Sequence, residues 1–405
     1  MRTKASCLCI AVAATLAFAA PATAQKRYDP GASDTEIRIG NIMPYSGPAS
    51  AYGVSGRAQA AYFKKINDEG GINGRKITYI SYDDGYSPPK TVEQARRLVE
   101  SDEVLLILSS LGTATNTAIQ KYMNAKKVPQ LFVSTGATKF GDPKNFPWTM
   151  GWQPNYQSEG RVYAQYLLRN KPDGKIAVIY QNDDYGKDLL KGLKDGLNGR
   201  MKILAEAPYE INDTTPDSQV VSAKATGADV LVNIATPKFS AQIIKKVAEI
   251  GWKPLHIANN VGASVGAVLR PAGLENSLGI LTAGYLKDST DPALKDDPEF
   301  QEWSAFMDKY YPDGDKANSS TVSGYGLAQT LAHVLMQCGD NLTRENVMKQ
   351  ATNIRNLPIK MVRPGILVNT SPTDYFPLEQ LQMIRFNGQN WENIGEVING
   401  EIGGS

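Results

Sequence analysis

A chain of 405 residues is long enough for two domains of ordinary size with real cores. Its 43 Lys and Arg against 41 Asp and Glu leave it near neutrality, and with no basic tail this argues against nucleic acid as a partner. Two histidines and three cysteines offer neither a metal-ligand pattern nor a disulfide scaffold, so no cofactor is expected.

Residues 1–24 read as an export signal. Arg2 and Lys4 precede an alanine-rich apolar run, and Ala22-Thr23-Ala24 puts small residues where a signal peptidase reads, so cleavage is expected before Gln25. That removes Cys7 and Cys9 and both charges, leaving 41 basic against 41 acidic residues and a lone Cys338 with no internal disulfide partner. No Cys stands at the junction, so no lipid anchor is expected. The mature chain has no stretch of 18 consecutive apolar residues, which favours an exported protein of the periplasm.

Residues 36–61 introduce a pattern that recurs along the mature chain. Ile37, Ile39 and Ile42 form a β-branched run, residues 44–53 are a Gly/Pro/Ser-rich loop with Tyr45 and Tyr52, and Val54, Ala58 and Ala61 recur at helical spacing. The spacing predicts strand, long loop and helix, the first half of a βα unit. Asn73-Gly74 turns into a strand over 76–82, Asp83-Asp84-Gly85 breaks it, and Pro88-Pro89 starts a helix to about residue 100. Residues 104–108 are continuously apolar, as in a strand covered on both faces, and lead through Leu111-Gly112-Thr113 to a helix. The strand 130–133 is followed by Ser134-Thr135-Gly136-Ala137-Thr138. Four repeats of apolar strand and polar loop imply a doubly wound α/β domain with its loops converging on one edge, where ligands bind in such sheets.

Phe146 to Trp152 interrupts the rhythm with Pro147, Gly151 and two indoles, which suits a crossover between domains. A second α/β series follows: strands over 175–180, 201–207, 230–234 and 255–258, with helices between them. Further on, 278–283 can be a strand, 299–310 and 321–336 amphipathic helices, and Asn387-Gly388 between two apolar runs a terminal hairpin.

Enzyme chemistry finds little support. The dinucleotide fingerprint and the Walker lysine motif are absent. Gly262-Ala263-Ser264-Val265-Gly266 matches a nucleophile elbow, but Asn259 to Val261 separate it from the strand, whereas an elbow needs a sharp strand-to-helix turn. Asp83-Asp84 and Asp183-Asp184 look like paired acids, and the second pair suits a helix start bordering a cleft. What fits is a non-covalent binder in which backbone donors, hydroxyls and tyrosines from two lobes close on a small solute.

The phrases IRIGNIMPYSGPASAYG, NDEGGINGRKITYISYDD followed by Pro89 and Lys90, LFVSTGAT, IAVIYQNDDYGKDLLKGLKDGL and ANNVG stand in an order and spacing that resemble the Leu/Ile/Val-binding family of solute-binding proteins of ATP-driven importers. The resemblance covers about residues 36–361. It implies two doubly wound parallel-sheet lobes joined by three crossover segments, with the ligand cleft between them. The lobes would comprise 34–148 with 284–361, and 149–283 with 362–400. Carried onto matching positions, the ligand would meet Tyr52, Leu111, Gly112, Thr113, Gly136, Ala137 and Thr138 from the first lobe and Tyr185, Thr236 and Asn259 from the second. The implied partners are a small organic solute and an inner-membrane ABC permease with its ATPase subunits, the binding protein itself being a monomer.

An amino-acid binder of that family offers an acidic side chain where this chain has Asn259, and an aromatic ring near Thr236. A buried ammonium without a carboxylate loses its charge partner. The expected ligand is therefore a small organic carboxylate, aromatic acids included. The alternatives are a branched-chain or other amino acid or an amide in the same import role, and a sensor presenting its closed form to a membrane receptor.

Overall fold

The computed structural model describes residues 26–400, and the expected signal at 1–24 lies outside them. Strand β1 (Arg27–Tyr28) opens the described chain. The first sheet then assembles from β2 (Glu36–Met43), β3 (Lys76–Asp83), β4 (Leu106–Leu108), β5 (Gln130–Val133) and β6 (Thr149–Gly151), all parallel, in the order β3-β2-β4-β5-β6. Between them run α1 (Gly53–Asp68), α2 (Pro88–Arg96) and α3 (Thr113–Lys126). The run predicted to be covered on both faces is β4, whose three residues are buried.

The second series alternates α4 (Tyr156–Asn170), β7 (Lys175–Gln181), α5 (Asp184–Leu197), β8 (Lys202–Tyr209), α6 (Asp217–Ala225), β9 (Val230–Ile234), α7 (Pro237–Glu249), β10 (Leu255–Ala258), the short α8 (Arg270–Ala272) and β11 (Leu281–Gly284). The chain then returns to the first lobe with α9 (Pro298–Tyr310), α10 (Ser319–Cys338), β12 (Asn341–Leu342, paired with β1) and α11 (Arg344–Ala351). It ends in the hairpin β13 (Gln380–Phe386) and β14 (Trp391–Asn399). That hairpin joins the second sheet antiparallel beside β11, giving the order β14-β13-β11-β10-β9-β7-β8. Two parallel-sheet lobes are thus linked by chain crossings, and the second carries an antiparallel edge.

Three crossings join the lobes: after β6, after β11, and between α11 and β13. The first carries Trp152, which is buried and donates from its indole to Thr330 Oγ1 in α10 at 3.0 Å. The second and third run side by side as an antiparallel ribbon: Leu286 bridges Val362, Arg363 N donates to Tyr285 O at 2.9 Å and Lys287 N to Met361 O at 2.8 Å. Helix α10 packs across α1 so closely that a Cβ on Gly324 would stand 2.5 Å from Ser55 O. This contact closes the first lobe with chain from both sides of the second.

Candidate functional site

Where the carboxyl ends of the two sheets face each other lies a cavity of about 670 Å³, counting the space open to solvent at its mouth. Five tyrosines wall it: Tyr52 at the start of α1, Tyr86 from the turn after β3, Tyr156 and Tyr185 from the first turns of α4 and α5, and Tyr285 from the second crossing. Tyr156 and Tyr185 approach with ring centroids 5.1 Å apart, tilted by 58°. Hydroxyls and amides fill the gaps: Ser55, Thr113, Ser134, Gln153, Thr236 and Asn260, with Ser319, Ser320 and Ser323 from the start of α10. Among the described residues no ionisable side chain other than tyrosine lines it. Burial pushes the phenols of all five tyrosines up, so each remains a neutral donor at physiological pH.

The loop from β4 to α3 delivers backbone. Gly112 takes φ 101°, and a Cβ there would lie 2.5 Å from the Tyr86 ring and 2.6 Å from Thr115 Oγ1. Its neighbour Thr113 begins α3, whose N-terminus has no side-chain cap. An uncapped helix N-terminus opening on a cavity offers N–H donors and a positive dipole end to a carboxylate. By contrast the N-terminus of α10 is capped by the Asn318 side chain, which accepts from Ser320 N.

Of the ten positions expected to meet a ligand, Tyr52, Leu111, Gly112, Thr113, Tyr185 and Thr236 line this cavity. Gly136, Ala137, Thr138 and Asn259 do not. The donors of Thr138 are already used: its N and Oγ1 both bond Asp188 Oδ2 of α5, at 2.7 and 2.9 Å, so it ties one lobe to the other. Asn259 is buried behind the wall, where its Oδ1 accepts from Tyr185 Oη at 3.1 Å and Ala235 N at 3.2 Å, and its neighbours Asn260 and Val261 face the cavity instead. The aromatic ring sought near Thr236 is Tyr209, whose hydroxyl accepts from Thr236 N at 3.1 Å and which likewise stands behind the lining.

The sequence reading missed Tyr86, Tyr156, Tyr285, Gln153 and the serines of α10. Tyr86 follows the Asp83-Asp84-Gly85 break and could have been found there. The α10 serines come from a helix start far along the chain, and only the packing of α10 on α1 brings them in.

A buried acid also escaped it. Glu159, in the first turn of α4, is 2 % exposed and accepts from Asn260 N at 2.6 Å and Tyr163 Oη at 2.5 Å. Burial pushes its carboxyl up to about 7, against the pull of those two hydrogen bonds. It stands one backbone amide behind the cavity wall.

The other candidates resolve into structure. Asp183 caps α5, its Oδ1 accepting from Tyr185 N and Gly186 N, and Asp184 is exposed and pairs with Lys139 across the lobes at 3.0 Å. Asp83 gathers the Tyr45, Ser46 and Gly85 amides, and Asp84 takes Thr91 Oγ1 at 2.7 Å. Ser264 accepts from Ala267 N and Ser319 N, the role of a cap rather than a nucleophile. Among the described residues no cluster of His, Cys, Asp and Glu could hold a metal, and no helix is long and apolar enough to cross a membrane.

Residues 36–383 match the family model described as "Periplasmic binding protein". The chain is 26% identical over 338 residues to the "Leu/Ile/Val-binding protein homolog 7" of Brucella melitensis, covering 79% of each. It is 25% identical over 345 residues to "Leu/Ile/Val-binding protein homolog 1" of Brucella suis, covering 83% of this chain and 85% of that one. Among solved structures, the "Fatty acid ABC transporter substrate-binding protein from Thermomonospora curvata" superposes with a TM-score of 0.79 at 22% identity, covering 93% and 95% of the two chains. A "branched chain amino acid ABC transporter from Thermus thermophilus with bound valine" gives 0.80 at 16% identity, covering 90% and 96%.

Proposed function

The chain belongs to the periplasmic binding protein family, a family of non-catalytic binders, and from that premise we propose that it captures a small organic solute in the periplasm and delivers it to an ABC importer. The observation that carries the ligand class is the interlobe cavity itself. Tyrosine rings supply apolar faces, the uncapped N-terminus of α3 supplies donors for a carboxylate, and among the described residues no ionised side chain lines the rest. A carboxylate on an apolar body fits those features. Valine, bound by one structural neighbour, and the fatty acids for which another is named share that chemistry.

The two neighbours differ in the amine, and so do the supports for each reading here. The names of the curated relatives favour a branched-chain or other amino acid. Glu159 adds a physical reason: an ammonium at the Asn260 wall would draw its carboxyl down from about 7 and find a counter-charge there. The uncharged lining itself favours an acid without an amine, since among the described residues no carboxylate touches the cavity directly.

Calorimetry with leucine and with 4-methylpentanoate, its amine-free counterpart, separates them. Tighter binding of leucine supports amino-acid import, and tighter binding of 4-methylpentanoate supports the amine-free class. Failure of a panel of amino acids, aromatic acids, aliphatic acids and amides to bind at all would refute the capture role.

A further inference from the structure

Beside the tyrosine-lined cavity lies a second one of about 510 Å³, counting the space open to solvent, and the two share Asn260, Leu286 and Ser319 as common walls. Its character is different. Arg363, from the third crossing, lines it while only 7 % exposed. The guanidinium bonds two neutral amide oxygens through Nη1, those of Gln382 and Asn393. Its Nε is buried and without a partner among the described residues.

A guanidinium taken out of water is costly unless a carboxylate or equivalent answers it. Asp288 and Asp291 are felt as charges by Arg363, yet among the described residues neither forms an ion pair with it. Asp288 also lines the cavity, but its oxygens already accept from Thr290 N and Oγ1 and from Trp391 N. Lys287, the other cation there, is held by Asp297 and Glu299 at 2.7 Å each. Among the described residues Arg363 is therefore the lining cation that no acid has claimed.

We propose that the second cavity is an anion subsite, in which Arg363 receives a carboxylate through its free Nε edge. The planar fork of arginine suits a carboxylate's two oxygens better than a point charge would. The carboxylate can be the far end of an extended ligand whose body lies among the tyrosines, or a small separate anion held at the crossings. The first source rests on the solute-binding role proposed above; the second does not.

Calorimetry on the full mature chain compares monocarboxylates with dicarboxylates of equal length, from pentanoate and pentanedioate to nonanoate and nonanedioate. Thermal unfolding with sodium acetate against sodium chloride at matched ionic strength reads the separate anion. An extended ligand makes one of the dicarboxylates bind about ten-fold tighter than its partner, and Arg363→Gln abolishes that margin while monocarboxylate affinity stays within about two-fold. A separate anion gives an acetate-specific rise in Tm that Arg363→Gln removes, with no dicarboxylate margin.

Because Arg363 sits in a crossing, folding of the variant is checked by circular dichroism, and Gly284→Ala provides a second route. Its new methyl would stand 3.3 Å from Arg363 Nε, against the movable end of Ile384, and occlude that edge with the charge kept. The proposal is overturned if neither a dicarboxylate margin nor acetate stabilisation is seen, or if either survives both variants unchanged. Loss of the margin with monocarboxylate binding intact leaves the capture role standing, whereas acetate stabilisation without any solute binding would leave only the subsite.

Discussion

The loop after β4 and the loop after β5 both follow a buried strand with a glycine and a threonine hydroxyl, yet only the first brings them to the cavity. At Gly112 and Thr113 the chain turns with φ 101° straight into a helix and both residues line the cavity, while the Gly112 amide donates to Ser134 O at 3.1 Å and the Thr113 hydroxyl pairs with that of Thr135 at 2.7 Å. At Gly136 to Thr138 the chain instead meets α4 and α5: Gly136 O accepts from Tyr156 N at 2.7 Å, and Thr138 gives both its donors to Asp188. One loop borders the cavity and the other is a latch between lobes. Local chemistry is the same in both; the neighbour that reaches it first decides its use.

The strongest way to break this contrast is to spoil the first loop. Gly112→Val puts a β-branched side chain at a left-handed φ, about 1–2 kcal/mol of backbone strain, and drives it into the Tyr86 ring. Solute affinity is expected to fall by about 100-fold, measured by calorimetry, with far-UV circular dichroism unchanged.

A comparable effect on stability, with no mutation of either loop, comes from Glu159 on the helix that the second loop holds. Its folded carboxyl titrates at about 7 because of burial, above its ordinary value of 4.5. A raised folded pKa means the unfolded chain gives up the proton first. The contribution is fully present below about 4.5, is lost as pH rises through about 7, and is flat above. The slope amounts to on the order of 3 kcal/mol. Glu159→Gln should remove that slope from urea-unfolding free energies measured between pH 4.5 and 8.

Asp188→Ala tests the latch. It takes the acceptor from Thr138 N, Thr138 Oγ1 and Gln157 Nε2 without touching the cavity. Losing those charge-assisted bonds should weaken solute binding about ten-fold, mostly through faster release, while the ranking of ligands stays the same in stopped-flow competition. An altered ranking would mean that the second loop selects ligands after all.

Tyr52→Phe is the mildest. It removes one hydrogen bond across the cleft, Tyr52 Oη to Val261 O at 3.0 Å, and keeps the ring. A loss of about three-fold in affinity is expected, smaller than for either loop variant.

The fold was legible because strand and loop alternate in the chain itself. Residues 104–108 are all apolar and Ile37, Ile39 and Ile42 are β-branched, and both patterns depend only on near neighbours. The site was legible where one loop makes it, as at Leu111 to Thr113. It was not where geometry assigns the outcome: nothing near Thr138 in the chain announces Asp188. Ser319 and Ser320 reach the cavity because Gly324 lets α10 settle on α1, and Glu159 is hidden among helical residues. The antiparallel place of the terminal hairpin was open from its turn residues alone and was decided by the free edge of β11.

The contact of α10 with α1 also sets an order of assembly. The first lobe takes its sheet from the start of the chain and covers it with a helix made only after the whole of the second sheet's parallel core has been laid down. A nascent chain that ends before Ser319 leaves Ser55 and the apolar face of α1 without their covering helix, while the parallel core of the second lobe is already complete in sequence. Such distant pairing slows folding, because loop closure comes before any reward from burial. The lobe that begins the chain therefore waits for the second lobe's parallel core, and only the antiparallel edge of the second sheet is made later still.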